Sequence, residues 1–265
     1  MDLKTVIGVV VFLFLGLNLQ SQEKDFWNGK KCAVVLTYDD ALDSQLDIAL
    51  PLLDSLGLKA TFYLPGKANS LRDRMAEWRS AQAKGHELGN HTLFHPCHGK
   101  ARNRNWVPKE YNLDNYTVKR ITDELKVANT LLHAIDGDTL RTFAYTCGDR
   151  TVEGQYFINK MKGVFVAARG VERGLNEPGK MDPYDLKIFG SNSRTEQGAL
   201  IQQVKKAEKN GALLIFLFHG LGNERKLDTD PARHAELLNY LAKHQKTIWV
   251  APLKEVIQYY KANQR

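Results

Sequence analysis

Alternation constrains this chain more than any other feature of it. Short apolar runs without a helical period read as buried strands, and they take turns with stretches whose apolar residues recur at helical spacing. Strands are expected at Cys32–Tyr38, Lys59–Leu64, His86–Asn90, Leu140–Tyr145, Gly163–Ala168, Leu186–Phe189, Ala212–Phe218 and Thr247–Pro252. Between them, helices are expected at Ser44–Leu56, Asn69–Lys84, Thr117–Ile135, Val152–Met161, Thr195–Lys209, Pro231–His244 and Leu253–Ala262. Ile48, Leu52, Leu53 and Leu56 form one apolar stripe ended by Gly57, and Ile121, Leu125, Ala128 and Leu132 form a longer one. Seven or eight such units predict an α/β fold with a parallel sheet and helices outside, closed as a barrel or open as a doubly wound sheet. No internal repeat or low-complexity linker divides it, so residues 22–265 are expected to form a single domain.

The first residues give an address. Met1-Asp2-Leu3-Lys4 is a weakly basic start, Thr5 to Leu17 is a nearly unbroken apolar run, and Ser21 supplies a small residue at a cleavage point. That pattern predicts a signal peptide over residues 1–21, and the run is too short for a comfortable membrane span. The mature protein is therefore expected to be secreted or periplasmic, with no stable membrane insertion. The formal charge of +7 is dispersed, densest at Lys100-Ala101-Arg102-Asn103-Arg104, and no nucleic-acid motif accompanies it, so no nucleic-acid partner is expected. Three cysteines are too few for a disulfide framework, but Cys97 and Cys147 both fall in loops and could pair in an oxidising compartment.

In parallel α/β folds the chemistry sits at the carboxyl ends of the strands. Reactive residues fall there with regularity: Asp39 and Asp40 after the first strand, His91 and His95 after the third, Cys147 after the fourth, Arg169 after the fifth and His219 after the seventh. Two adjacent carboxylates at a half-buried strand end repel each other unless a cation or a shared proton offsets the charge. Two histidines four residues apart face the same way if one tight helical turn follows the strand, with Pro96 ending it. Two His and a carboxylate suit a catalytic zinc and equally a non-haem iron. One aspartate then suffices as ligand and the other is free to act as a base, while His219 is placed to be the acid for a leaving group. The longest irregular segment, Cys97 to Asn115, carries Trp106 and Tyr111, with Tyr116 just beyond it, all aromatics able to stack on a sugar if exposed.

Thr37-Tyr38-Asp39-Asp40, His91-Thr92-Leu93-Phe94-His95-Pro96 and Leu217-Phe218-His219 resemble the first, second and fifth motifs of the polysaccharide deacetylases, the NodB-homology carbohydrate esterases of family 4. The resemblance runs from about Lys31 to Tyr259. It implies a distorted (β/α) barrel of seven or eight strands holding one divalent metal, most often zinc, with cobalt or nickel as alternatives, and hydrolysis of N- or O-linked acetyl groups on an acetylated glycan. Carried over position by position, Asp39 is the base, Asp40, His91 and His95 bind the metal, His219 is the acid, and Leu217 lines the acetyl pocket.

Two departures stand out. The family's third motif commonly reads Arg-Pro-Pro-Tyr-Gly, and the matching stretch here is Ala144-Tyr145-Thr146-Cys147-Gly148. The Cys147 N–H can still face the oxyanion and Tyr145 still adjoins the substrate groove, but the arginine that orients the base is missing. Arg169 is the expected replacement, since Arg141 lies inside its strand. The fourth motif is not recognisable, and Asp182 and Asp185 are candidates for the partner of His219 by neighbourhood alone. Two other readings stay open: a non-catalytic glycan-binding relative, and a metal-dependent amidase on a non-carbohydrate substrate.

Overall fold

The computed structural model describes residues 25–222 and 226–264, so the signal peptide expected over residues 1–21 lies outside the described residues. Strand β1 (Cys32–Asp39) is the centre of the architecture. It pairs in parallel with β9 (Leu213–Phe218) along Ala33 to Tyr38, and its other edge is shared. The lower half of that edge takes β10 (Ile248–Val250) and the upper half takes β2 (Thr61–Leu64). From β2 the sheet continues through β3 (Glu87–Asn90), β4 (Arg141–Ala144), β7 (Phe165–Arg173) and β8 (Leu186–Gly190) to β9, which closes on β1. The result is a closed seven-stranded parallel barrel with β10 appended, the closed form of the two that alternation allowed. Among the described residues no helix is long and apolar enough to cross a membrane.

Strand alternation sorts β1 between two cores. Val34, Leu36 and Tyr38 pack outward with Phe62, Phe216 and Phe218 against helix residues such as Leu53, Trp78 and Leu237. Ala33 and Val35 pack inward with Tyr63, Ala144, Ile215 and Leu217. Outside lie α1 (Leu50–Ser55), α2 (Asn69–Asp73), α3 (Met75–Ala83), α4 (Val118–Asp136), α5 (Ala199–Asn210), α6 (Pro231–Lys243) and α7 (Leu253–Ala262). The longest, α4, buries Ile121, Leu125, Ala128 and Leu132; Thr117 caps its start and Gly137 ends it at φ 73°.

Three local expectations are corrected. Over Val152–Met161 the chain forms a hairpin, β5 (Thr151–Val152) with β6 (Gln155–Tyr156), and then a 3₁₀ turn. Glu153 and Gly154 both take positive φ, 51° and 71°, the backbone of a tight two-residue hairpin turn and not of a helix. The stretch Asn69–Lys84 is two helices broken at Arg74, whose guanidinium gathers Asp43, Asp47 and Glu77. The helix after β1 opens as a π-helical turn (Gln45–Ala49) before α1.

A polar column stands inside the barrel. At its foot Glu87, 4% exposed, accepts hydrogen bonds from Thr61 Oγ1 (2.8 Å), Thr142 N (2.8 Å), Thr142 Oγ1 (2.8 Å) and Lys254 N (3.0 Å). The Lys254 bond sets a carboxylate against the N-terminus of α7, where the helix dipole favours it. Above, the Tyr63 hydroxyl bonds Thr142 Oγ1 at 2.8 Å. The Arg169 guanidinium lies over the Tyr63 ring, 4.7 Å from its centroid, and carries the column to the rim.

Candidate active site

β1 delivers the two aspartates in opposite ways. Asp39 keeps the inward parity of Ala33, Val35 and Thr37 and is 3% exposed. Asp40 should point outward by the same parity, but it and Ala41 take positive φ, 77° and 50°, and turn its carboxylate across the rim. The loop after β3 is held as firmly. Asn90 donates to Leu125 O (2.9 Å) and Asn129 Oδ1 (2.7 Å) while its Oδ1 accepts from Thr92 N (2.8 Å). The buried Glu124 accepts from Leu93 N (3.2 Å) and Phe94 N (3.0 Å). His91 and His95 therefore converge without the helical turn their spacing suggested; Thr92 and His95 at φ 65° and 53° bend the loop.

Asp40 Oδ1 lies 3.6 Å from His91 Nε2 and 3.3 Å from His95 Nε2, and one ligand atom from each of the three falls within 4.8 Å of the others. The donor set fits a divalent cation. The Ala144 carbonyl can only accept, so at 2.9 Å from His91 Nδ1 it fixes the proton there and leaves Nε2 free. Burial alone would push the Asp40 carboxyl up, but His91, His95 and His219 hold it well below the usual carboxylate range. Burial, with the charge of His91, pushes His95 down to about 4. At neutral pH the Asp40 carboxyl is ionised and the His95 imidazole neutral, the forms that bind metal.

Asp39 faces the triad from the barrel interior. Its Oδ2 is 3.9 Å from His91 Nε2, and its Oδ1 accepts from Arg169 Nη2 in an ion pair with Arg169 at 0% exposure. Arg141 is committed elsewhere, to Asp136 at 2.5 Å and to the Leu88 and Asp138 carbonyls. One correction concerns the strand: Arg169 does not follow β7 but lies within it, because β7 runs on to Arg173. Gln45 was not evident beforehand. Its Nε2 donates to the carbonyls of Asp39 (2.5 Å) and His219 (3.0 Å), tying the ends of β1 and β9 together. No sequence signal marks it, because its full burial is set by the fold.

His219 lies near enough for its charge to act on Asp40, and its Nδ1 is buried with no hydrogen-bond partner among the described residues. Asp182 and Asp185 do not partner it: Asp185 pairs with Arg150 at 2.7 Å, and Asp182 Oδ1 accepts from Tyr184 N. Leu217 sits inward, two residues before His219, in the cluster with Tyr63 and Ala144. Cys147 is joined to Cys97 by a disulfide and takes φ 55°. Cys97 Sγ lies 3.6 Å from His95 Nδ1, so the bridge abuts a triad member. Both sulfurs also fall within 4.8 Å of His95, but the bridge leaves neither a thiolate for metal.

A cavity of about 400 Å³ opens beside the triad, lined by Asp40, Pro65, Lys67, Asn69, His95 and Trp106. Trp106 is 61% exposed there. Tyr145 is not in this groove. It is 1% exposed, its hydroxyl donates to the Tyr184 carbonyl (2.9 Å), and it borders a separate cavity with Arg150 and Tyr156. Tyr116 is buried too, its ring covered by Arg120, and Tyr111 is stacked on Phe94.

Residues 28–163 match the family model for polysaccharide deacetylases. The chain belongs to the polysaccharide deacetylase family. The family is named for hydrolases that act on acetyl groups of carbohydrate. The chain's fold is shared with a Mycobacterium smegmatis protein assigned to the same family, at TM-score 0.62 and 15% identity over 89% of this chain and 92% of that one. It is shared with PdaA of Bacillus subtilis, a family 4 carbohydrate esterase, at TM-score 0.54 and 15% identity over 88% and 83% of the two chains. PuuE allantoinase matches at TM-score 0.65 and 12% identity over 92% and 95%. A gellan lyase of Bacillus sp is 24% identical over 257 residues, covering 87% of this chain, which spans 9% of that relative's length.

Proposed function

We propose that the protein is a secreted, divalent-metal-dependent deacetylase that hydrolyses N- or O-linked acetyl groups on a polysaccharide or oligosaccharide. The observation that carries the reading is the Asp40–His91–His95 triad beside a second carboxylate, Asp39, that is paired with a buried arginine. Asp40, His91 and His95 would hold the cation, with zinc suited to two imidazoles and one carboxylate. Bound there, it supplies Lewis-acid polarisation of a carbonyl and a lowered pKa for water.

The chain's own residues take the remaining roles. Arg169 and the Gln45 clamp fix Asp39, which accepts the proton of the attacking water as its oxygen bonds to the acetyl carbon. The N–H of Cys147, on a loop fastened by the disulfide, faces the developing oxyanion. His219 donates a proton to the departing amine or sugar oxygen as its bond to the acetyl carbon breaks, giving acetate and the free sugar group. Export is supported by the leading apolar run and by a disulfide of the kind that persists in oxidising compartments.

The test is acetate release from acetylxylan, chitin oligomers and peptidoglycan by protein stripped with a chelator and then reloaded with zinc, cobalt or nickel. Release restored by metal and lost in both Asp39→Asn and Asp40→Asn establishes the activity and names the substrate. Release that persists after chelation, or in Asp40→Asn, rejects it. N-terminal sequencing of protein recovered outside the cytoplasm checks export and the processing point.

A further inference from the structure

We infer that the cavity beside Asp40 and His95 is a subsite for an acidic sugar, in which Lys67 takes a carboxylate borne by the glycan unit next to the acetylated one. This rests on the deacetylase reading above. Lys67 is carried to the rim by the loop after β2, which is fastened onto the histidine loop by Gly66 N to Thr92 O (3.0 Å) and Lys67 N to Leu93 O (2.8 Å). Its ammonium lies over the Tyr111 ring, 4.6 Å from the centroid, and Tyr111 is in turn stacked on Phe94 at 5.2 Å. The ammonium thus rests on an aromatic shelf while the side chain lines the cavity.

Lys67 is the cation that lines this cavity, and among the described residues it has no carboxylate partner. Two cations toward the rim are matched, Arg104 with Asp149 and Arg169 with Asp39. The acidic groups that act on Lys67 are Asp40 and Glu124, and both are engaged. Asp40 belongs to the triad, and Glu124 accepts from Leu93 N and Phe94 N. The cavity therefore offers one ammonium without a carboxylate partner, the Asn69 amide and an indole face at Trp106. An aromatic face for a sugar ring beside a single cation is the chemistry of an acidic sugar, and a neutral glycan would leave the cation unused. The net charge of +7 adds long-range attraction of the same sign.

A carboxylate can come from a uronic acid or from the lactyl ether of muramic acid, and matched pairs separate them. The zinc-loaded full chain is given acetylated oligogalacturonide and its carboxyl-reduced counterpart, then a muramic-acid-containing glycan strand and a chitin oligomer of equal length. Acetate release gives kcat/KM, and calorimetry gives Kd for the same four probes. The acidic member of one pair should be preferred by about tenfold or more, through KM and Kd, and high salt should shrink the preference. Within Lys67→Met the ratio should fall to about one, and Lys67→Arg should keep it; because each ratio is internal to one variant, impaired folding does not mimic the result. Equal constants within both pairs, or a preference that survives Lys67→Met, overturns the subsite. Metal-dependent release without preference strikes the subsite alone. A binding preference lost in Lys67→Met, with no release from any probe, supports the subsite and strikes the deacetylase reading.

Discussion

Gly89→Ala should damage this protein through a tyrosine ring and not through the strand that carries the substitution. A Cβ at position 89 would stand 2.5 Å from both Cδ1 and Cε1 of Tyr63 and 3.3 Å from Thr61 Cγ2. Comfortable carbon contacts lie near 3.5–4.0 Å, so the ring must move by about 1 Å. It has nowhere to go: Tyr63 is 0% exposed, its hydroxyl is tied to Thr142 Oγ1 at 2.8 Å, and Arg169 lies on its face at 4.7 Å. Overpacking of this kind costs about 1–3 kcal/mol. Because Arg169 rests on the displaced ring and holds Asp39, the error reaches the proposed base, where a misplacement of about 1 Å is worth on the order of 100-fold in turnover. A double-mutant cycle in urea isolates the cause. With the ring removed by Tyr63→Leu, Gly89→Ala should become neutral or stabilising by about 0.5–1 kcal/mol, since Ala suits a strand better than Gly. The difference between backgrounds gives a coupling of about 1–4 kcal/mol. Equal cost in both backgrounds, or wild-type kcat in Gly89→Ala, would refute the reasoning.

Three further outcomes follow from the same geometry. Arg169→Met strands Asp39, 3% exposed, without its counter-charge and should cost about 3–5 kcal/mol in urea unfolding. Adding Asp39→Asn should return most of that stability but no turnover, and a wild-type midpoint for Arg169→Met alone would dismiss the pair. Replacing both Cys97 and Cys147 by Ser opens a bridge spanning 50 residues, which loop entropy values at about 4 kcal/mol. The same change should weaken zinc binding in a chelator competition, since Cys97 Sγ supports His95 at 3.6 Å; unchanged zinc affinity would remove the bridge from the site. Finally, burial holds His234 down to about 3 while its Nε2 accepts from the Tyr38 hydroxyl at 2.7 Å. The unfolded chain takes up that proton as pH falls through about 6.5 and the native one does not, so stability drops below pH 6.5 by up to about 1.4 kcal/mol per pH unit for this residue. With chelator present, His234→Gln should lose less stability than wild type between pH 7 and 4.5, and parallel losses would count against it.

The strand positions and most of the rim residues were legible because a parallel α/β chain writes both into one dimension. An apolar run marks each strand, and the residue after it is at the rim. The signal fails where backbone handedness decides. Parity along β1 sends Asp39 inward and would send Asp40 out among the helices; only its φ of 77° returns it to the histidines. No propensity foretells a left-handed aspartate, so the residues alone could not choose between the two carboxylates. The same holds for Glu153 and Gly154, whose positive φ made a hairpin from a stretch with acceptable helical spacing. Tyr145 was misjudged, and Tyr116 left open, for another reason. Aromatics in loops are equally good as packing and as sugar platforms, and only their 1% and 3% exposure separates those uses from that of Trp106.

The arginine question shows what register adds to sequence. The family's third motif places its arginine where this chain has Ala144, and no neighbouring residue in sequence supplies the charge. In the barrel, Ala144 on β4 is the Cα partner of Arg169 on β7, so the side chain that reaches Asp39 starts from the adjacent strand at the same height. Ala144 is not a passive gap, because its carbonyl accepts from His91 Nδ1 and so sets the imidazole that faces Asp40. A strand carrying both an arginine and that carbonyl would set base and ligand from one backbone; here β7 holds the base and β4 holds the ligand. The register shift between Arg141 and Phe143 along the β4–β7 pair lies just below this point, and it fixes which β7 residue stands opposite Ala144. Moving the charge back with Ala144→Arg in an Arg169→Ala background therefore tests the register itself. Height alone predicts a partial return of turnover, measured as acetate release, with the stability of Asp39 recovered. Failure of both would mean that height is not enough, and that the seating of Arg169 over the Tyr63 ring is what makes the pairing work.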